Sequence, residues 1–211
     1  VTGLAKLVEI CRKNNICLVH FSSDYVFDGE TPVHTESEPF SPLGVYGQTK
    51  AAGDILVGTL ANHYILRTSW LIGSESSFVR TMMRLAAQGA SPDVVNDQFG
   101  RLTFTPDLAA AALHLLAVQA PFGVYNASNS GPVTTWHEVA RQVFEQCGRD
   151  PNDVRAVTTA EYLAGRAGAA PRPQHSVFDL RKLNATGFRP RPWKAAADDY
   201  PASLQEPRNA H

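Results

Sequence analysis

The sequence predicts an α/β fold in which a parallel sheet is buried by helices. Short apolar runs of strand length alternate along the chain with segments of helical periodicity, the pattern of strands joined by crossover helices. The run Ile16-Cys17-Leu18-Val19-His20-Phe21 reads as a mostly apolar buried strand that passes into the polar Ser22-Ser23-Asp24. Strand ends are where open α/β sheets carry their sites. No internal repeat or low-complexity segment breaks the alternation.

Taken in order, the elements begin with a helix over 3–13 and the strand over 16–22. A loop over 28–44 follows, in which Pro39, Ser41 and Pro42 deliver a helix from about 45 to 60. Tyr64-Ile65-Leu66 is the next strand. Ser76 or Ser77 caps a helix whose Phe78, Val79, Met82, Met83 and Ala86 repeat at helical spacing until Gly89 stops it. Asp93-Val94-Val95 is a short strand. Thr105-Pro106-Asp107 starts a helix, with Thr at the cap, Pro at the first helical position and an acid in the first turn. Gly123-Val124-Tyr125-Asn126 is a strand, and Thr135 with Glu138 forms a capping box for a helix ending near Cys147-Gly148. Beyond about 150, alanine, proline and arginine crowd together from Ala164 to Pro173, Arg166 among them, and the segment reads as a solvated surface with a flexible loop.

Composition excludes several classes of function. The 211 residues are 44% hydrophobic and 18% charged, enough for a sizeable core in one large domain or a main domain with a small lobe. A formal net charge of −1 gives no general attraction to nucleic acid or to an anionic membrane. No apolar run approaches membrane-spanning length and no signal-peptide pattern is present. Cys11, Cys17 and Cys147, odd in number and widely spaced, point to reduced thiols in a cytoplasmic protein. The seven histidines show no His-x-x-x-His pattern, so no metal is expected.

Chemistry enters with Ser23, Tyr46 and Lys50. Tyr46 and Lys50 are four apart, so on one helix they share a face one turn from each other. Such pairs also recur on solvated helices that do nothing. An ammonium beside a phenol favours the phenolate, which lets the tyrosine pass a proton to or from a carbonyl oxygen. A hydroxyl at a neighbouring strand end, Ser23, can hold the same oxygen by a hydrogen bond.

The blocks Ser23 to Gly29, Ser41 to Gly53, Arg67-Thr68-Ser69-Trp70, Asn96 to Thr103 and Thr134-Thr135-Trp136 resemble, in order and spacing, those of the extended short-chain dehydrogenase/reductases, and within them the sugar-nucleotide reductases that act on dTDP-4-dehydrorhamnose. The resemblance covers essentially the whole chain. It implies the C-terminal part of a Rossmann-like doubly wound parallel sheet with a small α/β substrate lobe. Residues 1–150 would form a partial Rossmann-like domain carrying the triad, with middle segments contributing to the lobe. Residues 151–211 would be mainly substrate-binding lobe and C-terminal tail. The implied reaction is NAD(P)H-dependent reduction of a nucleotide-activated 4-ketosugar to dTDP-L-rhamnose, with NADPH or NADH as cofactor and a dTDP-sugar as partner. Tyr46 and Lys50 would also touch the nicotinamide end of the cofactor.

The resemblance adds substrate residues, each with a plainer alternative. Asp24 and Tyr25 lie beside the substrate or satisfy local backbone. Trp70 lines the sugar pocket or packs in the core. Asp97 and Gln98 meet sugar hydroxyls or make a turn. Arg172, fixed between Pro171 and Pro173, grips the diphosphate or sits on a solvated surface. Thr134 and Trp136 read as cap and packing. Ser77-Phe78 stands where the family has Asn-Phe, so no asparagine contact carries over.

The family also opens with a glycine-rich turn that holds the cofactor pyrophosphate at a helix N-terminus. No such fingerprint occurs here, residue 1 is Val, and the first helix resembles the one preceding the serine strand in the family. N-terminal βα units, at roughly 30 residues per unit, are therefore expected to be absent. Residues 1–211 alone are expected to bind NADPH poorly and to show no reductase activity, and saturable micromolar binding in a nicotinamide fluorescence titration would refute this. A dehydratase is disfavoured because Asp24 is followed by Tyr25 rather than glutamate. An epimerase with tightly held NAD and a non-catalytic regulatory subunit remain as alternatives, and a homo-oligomer is an open option.

Overall fold

The computed structural model describes residues 1–73, 77–165 and 168–203, the side chains of 201–203 excepted. Ser76, Arg166 and the tail 204–211 lie outside the described residues. In chain order the elements are α1 (Thr2–Lys13), β1 (Leu18–Ser23), a 3-10 turn (Asp24–Val26), α2 (Val45–Val57), β2 (His63–Thr68), β3 (Leu71–Ile72), α3 (Phe78–Ala87), β4 (Asp93–Val95), β5 (Phe99–Gly100) and β6 (Thr103–Phe104). They continue with α4 (Thr105–Ala117), β7 (Gly123–Asn126), β8 (Thr134–Thr135), α5 (Trp136–Gln146), β9 (Arg155–Val157), α6 (Thr159–Leu163), α7 (Arg181–Ala185) and α8 (Trp193–Ser203).

The central sheet has the order β1-β2-β7 and is parallel throughout. Strand alternation divides its side chains between two helical layers. Ile65 packs with Val8 and Cys11 of α1 and Val57 of α2. Its neighbours Tyr64 and Leu66 face the other way, onto Leu108, Ala111, Ala112 and Leu115 of α4. Both faces of β2 are thus covered, which is why it reads as a continuous apolar run. Register places Ser23 opposite Thr68, so the polar ends of β1 and β2 emerge together at one edge of the sheet.

A second core lies beyond that edge. Val79, Met82 and Ala86 of α3 pack on Val139, Ala140, Val143 and Phe144 of α5, together with Val94, Leu102, Phe104 and Trp193. Small two-stranded sheets stitch it together: β4 pairs with β9, and β5 with β8. Parts of the segment after 150 are thus built into the fold through β9 and Trp193. Trp193 is 2% exposed, and its indole N–H donates to the Pro132 carbonyl at 2.8 Å. Among the described residues no helix is long and apolar enough to cross a membrane.

Local signals fixed most boundaries. Ser77 caps α3, its hydroxyl accepting from Arg80 N at 3.2 Å, and the capping box of Thr135 and Glu138 opens α5. At α4 the expectation fails by one residue: Phe104, not Thr105, is the N-cap, with no side-chain cap. The reason is that β6 runs directly into the helix, and Asn129 takes over the local donors and acceptors. Its Oδ1 accepts from Phe104 N at 2.9 Å and its Nδ2 donates to Asp107 Oδ2 at 2.7 Å.

Candidate active site

The carboxyl end of β1 gathers the three triad residues. Ser23 ends the strand and caps the 3-10 turn, its Oγ accepting from Tyr25 N at 3.2 Å. Tyr46 is the second residue of α2, with its ring edge-on to that of Tyr25 at 5.5 Å between centroids. It is 57% exposed, so its phenol is open to a ligand. Lys50, one turn further along, donates from Nζ to the Phe21 carbonyl at 2.7 Å. An ammonium has three protons, so others stay free for a second partner.

Gly47 makes this convergence possible. A Cβ at that position would stand 2.0 Å from the Tyr25 carbonyl oxygen and 2.9 Å from Pro42 Cβ. The first turn of α2 therefore lies directly on the turn that carries Ser23 and Tyr25. In an open helix Gly→Ala gains about 1 kcal/mol of propensity, but here the overlap is with backbone. Gly47→Ala is expected to destabilise the fold by roughly 1–3 kcal/mol or more, read as a lower thermal midpoint. A stabilised variant would contradict the close approach.

Asp24 is 3% exposed and spends both carboxylate oxygens inside the protein. Ser23 Oγ donates to Oδ1 at 3.0 Å and Ser176 Oγ to Oδ2 at 2.5 Å. Burial pushes its pKa up to about 6, against the opposing pull of the two hydroxyls, its backbone and the more distant His34. Between the ordinary carboxylate range and about 6 the folded state thus holds a proton that the unfolded chain has released. The Asp24 contribution to stability is present at low pH and is lost as pH rises through that window. Tyr25, half-buried, has its pKa raised by burial, while the Arg172 guanidinium pulls the other way.

Arg172 borders a cavity of about 560 Å³ lined also by Phe78, Gln98, Trp136, Thr159 and Tyr162. Its mixture of aromatic walls and a few polar groups is typical of a small-molecule site. The backbone beside Arg172 is held by a close approach: a Cβ on Gly29, at φ +79°, would lie 2.5 Å from Pro173 Cβ. Tyr25 touches the Tyr46 ring on the triad side, and the Arg172 charge acts on its phenol from the cavity side.

The remaining sequence candidates have structural partners. Asp97 accepts from Thr159 N at 2.9 Å and from Thr159 Oγ1 at 2.6 Å, and Gln98 Nε2 donates to the same hydroxyl at 3.0 Å. Of the two, Gln98 also faces the cavity. Trp70 adopts the left-handed region at φ 46°, stacks on Trp136 at 3.9 Å, and covers Gly100, where a Cβ would be 2.5 Å from its ring. Trp136 packs against the second core as expected and also lines the cavity, while the cap falls to Thr135 rather than Thr134, whose Oγ1 donates to Glu138 Oε2 at 2.9 Å. Sequence reasoning missed Ser176 and Tyr162, neither of which sits in a recognisable motif.

The profile of the RmlD substrate binding domain family matches residues 1–206. The chain belongs to that family. Among its relatives, the dTDP-4-dehydrorhamnose reductase of Streptomyces griseus is 39% identical over 95% of this chain and 67% of its own length. The spore coat polysaccharide biosynthesis protein SpsK of Bacillus subtilis (strain 168) is 40% identical over 91% of this chain and 65% of its own. The crystal structure of dTDP-4-dehydrorhamnose reductase from Bacillus anthracis in complex with NADP superposes with a TM-score of 0.87 at 32% identity. That match covers 96% of this chain and 71% of that one. The chain thus spans about two thirds of the length of these RmlD-family relatives. Its α/β architecture is that of the Rossmann-like reductases.

Proposed function

We propose that the protein is an NAD(P)H-dependent reductase of a nucleotide-activated 4-ketosugar, converting dTDP-4-dehydro-L-rhamnose to dTDP-L-rhamnose. The observation that carries this reading is the gathering of Ser23, Tyr46 and Lys50 around the end of β1 and its following turn. Family membership and the reductase names of its relatives support it.

The site residues fit the nicotinamide end of the cofactor. Tyr46 presents an open phenol, and Lys50 has donors to spare for ribose hydroxyls after its bond to Phe21. When bound, the nicotinamide supplies hydride to a carbonyl carbon. Tyr46 gives its proton to the C4 oxygen as negative charge develops there. Lys50 stabilises the phenolate that is left, and Ser23 orients the carbonyl by hydrogen bonding.

Arg172 is proposed to meet the diphosphate, since a guanidinium fork suits phosphate oxygens. Asp24, Tyr25, Trp70, Asp97 and Gln98 complete the proposed substrate surroundings, with Asp24, Trp70 and Asp97 shaping them through the partners described above. In this reading residues 151–211 serve mainly as the substrate lobe. The free thiols Cys11, Cys17 and Cys147 support a cytoplasmic location. Arg172→Ala is expected to weaken dTDP binding at least tenfold by calorimetry, the loss of a charge-assisted bond, with little change in thermal midpoint. Unchanged dTDP affinity would remove Arg172 from the binding surface.

A further inference from the structure

Ser23 has one proton, and beside an ionised Asp24, which can only accept, that proton is committed to the carboxylate. The hydroxyl donates to Asp24 Oδ1 at 3.0 Å and accepts from Tyr25 N at 3.2 Å. One lone pair remains, and no donor. A ketone oxygen can only accept, so Ser23 in this arrangement has nothing to offer it. Turning the hydroxyl outward from an ionised Asp24 would strip a buried carboxylate of one of its two side-chain donors.

We propose that Asp24 is a positioning residue which, held by Ser176, sets the direction in which Ser23 hydrogen-bonds. With the carboxyl ionised, Ser23 donates inward and is silent toward substrate. With Oδ1 protonated by a proton from solvent, Asp24 donates to Ser23 Oγ, and the serine proton turns out to the carbonyl oxygen. Ser176 keeps its bond to Oδ2 in both states, so the carboxyl plane is fixed while the proton on Oδ1 decides the polarity of the pair.

The surroundings suit this role. Asp24 is buried, and its pKa of about 6 puts both forms within reach near neutrality. His34, from the loop after the 3-10 turn, favours the charged form from a distance, and its own ring is held at 2.9 Å by Glu38. Tyr25, on the same turn, feels the Asp24 charge in return. Ser176 lies on the segment before α7, and no sequence motif links it to Ser23.

The inference rests on the reductase reading, and its test separates the two. In the complete enzyme, kcat/KM is expected to fall about tenfold per pH unit above about 6 as the protonated fraction declines. Asp24→Asn, whose amide donates to Ser23 and accepts from Ser176 at every pH, is expected to abolish that limb. Ser176→Ala removes a bond that favours the charged form, so it should move the limb to higher pH. A merely structural Asp24 would change stability and leave the limb in place.

Carbon-13 NMR of the Asp24 carboxyl reads the same coupling without turnover. Ser23→Ala and Ser176→Ala should each raise its titration midpoint. Midpoints unmoved in both variants, or a limb that survives in Asp24→Asn, would overturn the proposal. Absence of reductase turnover in the wild type would sink the reductase reading instead, leaving the NMR midpoints to decide whether Ser23 and Asp24 are coupled.

Discussion

Tyr46→Phe in the complete polypeptide is expected to lower kcat by about 10² to 10⁴, the usual cost of losing a positioned proton donor, while sugar-nucleotide binding stays nearly intact. The separation follows from position. The Tyr46 ring is held edge-on to Tyr25 and the first turn of α2 is seated at Gly47, and phenylalanine preserves both contacts. Only the hydroxyl is lost. Steady-state cofactor oxidation together with dTDP-sugar calorimetry measures the two quantities separately. Near-wild-type turnover would take Tyr46 out of the chemistry.

The largest effect on stability is expected at Arg67, on β2. Its Nε donates to Asp54 Oδ2 at 3.0 Å, with the two side chains 3% and 1% exposed. The guanidinium also lies over Phe27 and Phe40, 5.2 and 4.9 Å from their ring centroids, and bonds the Glu36 carbonyl at 3.2 Å. Asp54 stands one turn beyond Lys50 on α2, so this ion pair ties the helix carrying Tyr46 and Lys50 to the centre of the sheet. Among the described residues, Arg67→Leu leaves this buried carboxylate with His20, 3.7 Å away and itself disfavoured as a cation by burial. Removing one partner of a buried pair typically costs about 3–5 kcal/mol. Urea unfolding is expected to show a loss of that size, and the double variant Arg67→Leu with Asp54→Leu to recover most of it. A loss under about 1 kcal/mol, the range of a surface pair, would mean that Asp54 finds other compensation.

How much of this was legible in the sequence depends on the range of the interaction. The Tyr46 and Lys50 spacing, the Ser77 cap and the Thr135 to Glu138 box are encoded within a few residues, and the structure follows them. The apolar runs located β2 and β7 because strands buried on both faces leave little else to read. What was not legible is held by contacts between distant parts of the chain. Ser176 reaches Asp24 across 152 residues, and nothing around it marks the partnership. The segment after 150 reads as surface because its alanines, prolines and arginines carry no strong periodicity. Parts of it are tied into the fold all the same, β9 pairing with β4 and Trp193 entering the second core. Trp70 shows the same limit: its left-handed backbone and its seat on Gly100 depend on a neighbour 30 positions away.

Net cofactor consumption in the complete polypeptide tests the central claim most directly. On addition of dTDP-4-dehydro-L-rhamnose to protein and excess NADPH, NADP⁺ should appear in equimolar amount with dTDP-L-rhamnose, identified by NMR of the product. Conversion of the sugar nucleotide with no net loss of NADPH would contradict the account and point to an epimerase acting through the same Ser23, Tyr46 and Lys50.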